Sequence, residues 1–462
     1  MRRLPRLLTY WLVGIGLIAG ASRAATPGVH TTGSGLDRVF QGLPRSDWPT
    51  TAWWEALRDT QLDALIDEGL KGSPTLAEAA ARVRTAQALT AQAASASLPR
   101  LSGYASYTEL KADVPPIVHG YNDTGILLLN FGWDLDFFGR NRAAVRAAIS
   151  ETRAAMAESA EARLGLTTAI AATYADLARL YTEHDVAERA LAVRQETEGL
   201  VAKRVDNGLD TRAELSQAQA GPPAARADLA ALDEQIAITR DALAALIGAG
   251  PDRGLSIQRP AAAALKPFGL PDRLAADLIG RRPDIVAAKW RAEAATHRVD
   301  EAERAFYPDI NLSASFGQAA LSLDQLFKSG STLGFGGPAL SLPIFEGGRL
   351  RANLRGARAE SEAAVASYDD TVTEALHEVA DAVASERALG TRLAESRAAL
   401  AADENAHRIA TLRYNGGLAT YQSVLLAEDA VLLQRRIVAD LESRALTLDI
   451  ALIRALGGGF TA

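Results

Sequence analysis

The chain contains two copies of one unit. A shift of 209 residues places Pro74 on Pro283, Arg82 on Arg291, Ala86 on Ala295 and Pro99 on Pro308. The same shift carries Gly139-Arg140-Asn141-Arg142-Ala143 onto Gly348-Arg349-Leu350-Arg351-Ala352. It also sets Arg204, Gly208, Leu209 and Thr211 on Arg413, Gly417, Leu418 and Thr420. An alanine-rich chain matches itself by chance at alanine, not in register at Pro, Gly and Arg. Whatever it folds into is therefore built from a repeated unit.

Each copy reads in the same order. A helical stretch comes first, Pro74–Leu98 and Pro283–Tyr307. A strand pair follows, Leu101–Leu110 with Ile126–Phe138, and Ile310–Phe316 with Leu333–Phe345. Then a very long helix runs from Arg140 to Asp206, and again from Arg349 to Asn415. It turns at Asn207-Gly208 or Asn415-Gly416-Gly417, where glycine suits the left-handed end of a helix. A returning helix ends near Gly248 or Gly457. Ala, Leu, Glu, Arg and Gln fill these stretches and favour helix. Pro222-Pro223 has no counterpart in the second copy, where Val431-Leu432 stand, so a break or kink is expected there. A helix of this length spans about 100 Å. Such rods pack side by side as coiled coils rather than folding into a globule.

The strands alternate. Ile310, Leu312, Ala314 and Phe316 interleave with Asn311, Ser313, Ser315 and Gly317. Phe131, Trp133, Leu135 and Phe137 interleave with Asn130, Gly132, Asp134 and Asp136. One apolar and one polar face suit a lipid-facing barrel, and equally a soluble sheet. Four strands cannot close a membrane barrel, which needs about eight. If these strands cross lipid, several chains share one barrel, with Phe131, Trp133, Leu135, Leu312 and Phe316 toward lipid.

The N-terminus has the form of an export signal. Arg2, Arg3 and Arg6 precede an apolar run from Leu7 to Gly20, and small residues continue to Ala25. That run, about 21 Å as a helix, is short for a membrane core of roughly 30 Å. The chain divides into a signal peptide (1–24), an extended or equatorial segment (25–72) and a first repeat (73–250). A linker (251–281), a second repeat (282–457) and a tail (458–462) follow.

Composition excludes several classes. A net charge of −7 argues against nucleic acid. With no cysteine there is no disulfide, thiolate site or cysteine nucleophile. The six histidines are not spaced as a metal site. No nucleophile elbow or phosphate loop appears, and Gly334-Phe335-Gly336-Gly337 reads as barrel turns or bends. Neither an enzyme nor a cofactor is expected.

Five blocks then carry a resemblance: Arg281-Arg282-Pro283-Asp284-Ile285, Ala305-Phe306-Tyr307-Pro308-Asp309-Ile310, Pro343-Ile344-Phe345-Glu346-Gly347-Gly348-Arg349, Arg413-Tyr414-Asn415-Gly416-Gly417 and Leu456-Gly457-Gly458-Gly459-Phe460. In this order within a duplicated chain they resemble the outer membrane factors, the TolC-like exit ducts, most closely the OprM/NodT branch. The resemblance runs from Trp53-Trp54 to the C-terminus. It implies a mainly α fold with a transmembrane β-barrel contribution. Three chains would give a twelve-stranded barrel in outer membrane lipid and a helical tunnel across the periplasm. An equatorial belt near Asp252–Phe268, a periplasmic adaptor and an inner-membrane pump complete the implied machine, which exports small toxic compounds. A duct for protein secretion and a soluble periplasmic scaffold remain the alternatives.

Many relatives on this branch bear a lipidated cysteine after a Leu-x-Ala-Gly-like signal end. Here Ala21 follows Leu17-Ile18-Ala19-Gly20, so barrel insertion is expected to hold the chain. The resemblance also implies closure at the two inter-helix turns by acidic and aromatic residues. The candidates are Asp206, Asp210, Glu214, Tyr414, Leu418 and Tyr421, with Arg204 and Arg413 as cationic partners. Ala419 and Leu426 stand at second-half acidic places. Asn207, Gly208, Leu209, Gly416 and Gly417 are the expected adaptor-contact turns.

Overall fold

The structure, a computed structural model, describes residues 47–111, 121–261 and 274–461. The signal peptide, the start of the extended segment, and the belt residues 262–273 lie outside the described residues.

The repeat is reproduced to the residue in its three main helices and its first strand, while its second strand has 14 residues in one copy and 10 in the other. In the first copy α2 (Pro74–Ser95), β1 (Arg100–Lys111), β2 (Tyr121–Asp134), α3 (Arg140–Asp206) and α4 (Arg212–Leu246) follow α1 (Thr60–Gly72). After the short α5 (Pro251–Leu255) and α6 (Leu274–Arg281) come α7 (Pro283–Arg304), β3 (Asp309–Ala320), β4 (Thr332–Ser341), α8 (Arg349–Asn415) and α9 (Tyr421–Ala455). α3 and α8 each have 67 residues, and α4 and α9 each have 35. The long pair thus spans about 100 Å.

α3 is the spine. Toward the strands it packs between α2 and α7, with α8 beyond α7. Toward the far end it packs against α4 and α9, with α8 again beyond α9. Two apolar cores sit at equivalent heights. One gathers Trp53, Trp54, Leu65 and Ile66 against Ile170, Leu177 and Leu243. The other gathers Leu278 and Ile285 against Val379, Val383 and Leu452. The C-terminal glycines close this middle region, for a Cβ on Gly457 would lie 2.0 Å from the Arg281 carbonyl oxygen.

Of the break or kink expected at Pro222-Pro223, the break is absent, since α4 continues through both prolines. The missing N–H groups cost two helix bonds. Ala218, Pro222 and Ala225 are nevertheless buried at helical spacing, and this packing against α3 holds the segment helical.

The strands form one antiparallel sheet in the order β1-β2-β3-β4. Leu101, Phe131 and Ala314 lie in one row, and Trp133, Leu312 and Pro338 in the next. They share a face with Leu127, Leu129, Phe316 and Leu340. The other face presents Ser102, Asn130, Asn311, Ser313 and Ser315. Two boundaries need correction. β2 ends at Asp134, so Leu135 lies past the strand, its N–H donating to the Ile310 carbonyl at 3.1 Å. It belongs to the rim rather than the middle of the apolar face. β4 ends at Ser341, short of the expected Phe345, and the Gly334–Gly337 run lies inside it, as the expected strand range already placed it, and makes no turn. Strand hydrogen bonds outweigh the entropic cost of its glycines.

Candidate functional site: the paired helical turns

Both long helices end alike. The Leu209 N–H donates to the Arg204 carbonyl and the Leu418 N–H to the Arg413 carbonyl, each at 2.8 Å. The Gly208 and Gly417 N–H groups donate to the Val205 and Tyr414 carbonyls, each at 2.9 Å. These are Schellman closures, and both glycines sit at φ +70°, where a side chain would be strained. The consequence is that Leu209 and Leu418 project outward, 66% and 74% exposed. Asn207, Gly208, Gly416 and Gly417 are exposed around them.

Behind the turns the two copies are linked. Arg204 donates from Nε to Asp210 Oδ2 at 2.9 Å and from Nη2 to Oδ1 at 3.1 Å. The Tyr414 hydroxyl donates to the same carboxylate. The Arg204 guanidinium lies 4.4 Å from the centre of the Tyr414 ring. One carboxylate thus accepts from the end of α3 and the end of α8 together. Burial raises the Asp210 carboxyl, but the hydrogen bonds from Arg204 and Tyr414 outweigh it and hold the group below its ordinary value. Burial, then the adjacent Asp210, pushes the Tyr414 hydroxyl well up, so it stays a donor.

The other candidates separate. Tyr414, 1% exposed, and Tyr421 pack in an apolar cluster with Val201, Ala218 and Val424. The Tyr414 ring is therefore part of the core and its hydroxyl is the link. Glu214 completes a capping box, accepting from the Thr211 N–H at 2.7 Å while its own N–H donates to Thr211 Oγ1 at 3.3 Å. It starts α4 and does not reach across to α8. Asp206 and Arg413 are exposed and form no ion pair with the described residues.

A second tie lay outside the candidates. Arg194 on α3 bonds Glu428 and Asp429 on α9, both at 3.3 Å. Burial raises the Glu428 carboxyl. Nothing in the spacing marks this pair, because it joins the two copies rather than repeating within them. The Arg281–Ile285 block has a structural use: Arg282 donates to both Asp284 oxygens, to Glu378 at 2.5 Å and to the Ala455 carbonyl at 3.1 Å. It fastens the end of α9 to α7 and α8. Among the described residues His184, Asp185 and Glu188 come together on α3. Asp185 is committed there to a two-pronged pair with Arg259 at 2.8 and 2.6 Å.

Comparison with known proteins matches this architecture throughout. The family described as "Outer membrane efflux protein" matches residues 65–249 and 274–458, the two repeats separately. The multidrug resistance outer membrane protein MdtP of Shigella flexneri is 35% identical over 433 residues, covering 91% of this chain and 88% of the relative. The crystal structure of the outer membrane protein VceC of Vibrio cholerae superposes with a TM-score of 0.82. It is 47% identical and covers 89% of this chain and 100% of that one. The outer-membrane channel OprN gives 0.84 at 28% identity, covering 91% and 95%.

Proposed function

The chain belongs to the outer membrane efflux protein family, and from that membership we propose that it is the exit duct of a tripartite efflux pump, passing small toxic compounds out of the cell. The observation that carries this is the joining of a sheet with one apolar and one polar face to paired helices of about 100 Å. The apolar face would meet outer membrane lipid, the polar face would line a wet lumen, and the rods would cross the periplasm. Relatives named for multidrug resistance support small molecules as the cargo.

Assembly follows from the open edges. Among the described residues β1 and β4 each lack a neighbour on one side, and an unpaired edge cannot persist in hydrocarbon. Three chains close a twelve-stranded barrel. An inner-membrane pump and a periplasmic adaptor supply the driving force, with the adaptor meeting the turns at Asn207–Leu209 and Gly416–Leu418. Their exposed Leu209 and Leu418 are suited to burial against it. Likeness to the OprM/NodT branch rests on the sequence blocks. The proposed gate is the Arg204–Asp210–Tyr414 link, which holds the two hairpin tips of a protomer together. Mass measurement and electron microscopy in mild detergent test the assembly. A trimer shaped as a tube on a barrel is expected, and a stable folded monomer would refute it.

A further inference from the structure

The polar face of the sheet is interrupted. Tyr104, Leu128, Gly317 and Leu333 are successive cross-strand partners and form one row across all four strands. The row toward the helices is Ser102, Asn130, Ser315 and Phe335, and the row beyond contains Ser106, Ile126 and Ala319. Five large apolar or aromatic side chains therefore gather on the face opposite Leu312 and Phe316. Tyr104, Leu333 and Phe335 are 51%, 41% and 61% exposed. A barrel interior is otherwise polar.

The patch has a shape. Gly317 lies between Leu128 and Leu333, so the face is notched there. The flanking strands stand about 10 Å apart, two inter-strand spacings. A Cβ on Gly317 would come 2.0 Å from the Leu127 carbonyl oxygen, so no other residue fills the notch without moving β2. Beside it, Ser315 Oγ donates to Asn130 Oδ1 at 2.7 Å. The neighbouring polar groups thus satisfy each other rather than a solute. The charged residues of this face, Arg100, Asp134 and Asp309, lie at its helical end, away from the notch.

Resting on the duct reading, we propose that this notch is a contact station for the cargo, taking the flat apolar ring of an uncharged or amphipathic aromatic compound. An uncharged wall demands no loss of ionic hydration from such a ring, and a slot one glycine wide accepts a plane edge-on or flat. Contact on one side only keeps the hold weak, as conduction requires. Three copies would face each other around the lumen.

The test uses the intact protein in lipid nanodiscs, photolabelled with neutral benzophenone and mapped by peptide mass spectrometry. Benzophenone also dissolves in lipid, so labelling of Phe131 and Leu312 on the outer face serves as the internal standard. Labelling at Leu128, Leu333 or Phe335 is expected. It should fall about tenfold, the factor that ~1.4 kcal/mol of lost apolar contact produces, in Leu128→Ser/Leu333→Ser/Phe335→Ser. Serine already occupies this face, so the variant should assemble, which its detergent-resistant oligomer verifies. The single variant Phe335→Ser provides a milder form of the same comparison. Labelling confined to the outer face, or inner labelling unchanged in the assembled variant, would overturn the proposal. Failure of the duct reading shows separately, as parent protein that leaves membranes without detergent.

Discussion

Replacing Asp210 by alanine removes the one group that both hairpin tips share. The carboxylate accepts two hydrogen bonds from Arg204 and one from Tyr414. Its side chain is 6% exposed and that of Arg204 13%, so water only partly replaces what is lost. Hydrogen bonds to charged groups contribute about 1.5–3 kcal/mol. A net loss of about 2 kcal/mol per protomer is then reasonable, since Arg204 still faces the Tyr414 ring. Three protomers opening together sum to roughly 6 kcal/mol, enough to move an equilibrium from 1:99 to beyond 99:1. Single-channel recording of reconstituted protein at neutral pH should show a closed parent and a largely open Asp210→Ala. Tyr414→Phe, which keeps the ring and the ion pair, should lie between them. The double variant should equal Asp210→Ala, because the tyrosine hydroxyl has no partner left to lose. A closed trace from Asp210→Ala would refute the link as a gate.

Four further outcomes follow from the same contacts. The Asp210 carboxyl is held below its ordinary value, so its contribution is present above the unfolded pKa and is lost as pH falls through the lowered one. The parent duct should therefore stay closed at about pH 5 and loosen only in stronger acid. Glu214→Ala should fray the start of α4, costing about 0.5–2 kcal/mol by thermal melting without opening the channel. Leu312→Arg, on the apolar face, should reduce outer membrane yield at a cost of roughly 2–4 kcal/mol, whereas Ser313→Arg should insert normally; equal yields would reject the assignment of faces. Burial, then Asp449, raises the Glu386 carboxyl to about 7, so the folded state gains stability from its proton at low pH and loses it as pH rises toward 7. Glu386→Gln should melt higher than the parent at pH 8 and alike near pH 4.

The repeat made most of the fold legible. Offsets between prolines and glycines depend on backbone geometry, which duplication preserves, so helix and strand order could be read without knowing any contact. Strand ends were less accessible. Leu135 continues the alternation of Phe131 and Trp133 and its N–H still reaches the Ile310 carbonyl, yet β2 ends one residue earlier, at Asp134, where the chain leaves the sheet for α3. Period alone does not report where a strand ends. Pro222-Pro223 misled for a related reason, as propensity cannot register the burial of Ala218, Pro222 and Ala225 that overrides it. At the turns, residue types singled out the right neighbourhood but not the pairing. Glu214 and Asp210 are alike as carboxylates, and only the Thr211 capping box shows that one is occupied locally while the other is free to join α3 to α8.

The duplication also explains why the link is made once per chain. The shift that places Arg204 on Arg413 and Thr211 on Thr420 places Asp210 on Ala419 and Val205 on Tyr414. Had the copies stayed identical, each arginine would close on the aspartate of its own turn, and neither pair would need the other hairpin. With alanine in place of the acid and tyrosine in place of Val205, the second turn forms no such local pair, and the tyrosine hydroxyl finds its acceptor across the gap, at Asp210, which makes one connection between copies. Arg413 is left exposed beside Leu418 at the second turn, with no ion-pair partner among the described residues. A partner that offers a carboxylate to Arg413 would bind the outside of the tip without competing for Asp210. Docking and opening can then be separate events, the first at the turns and the second at the link behind them.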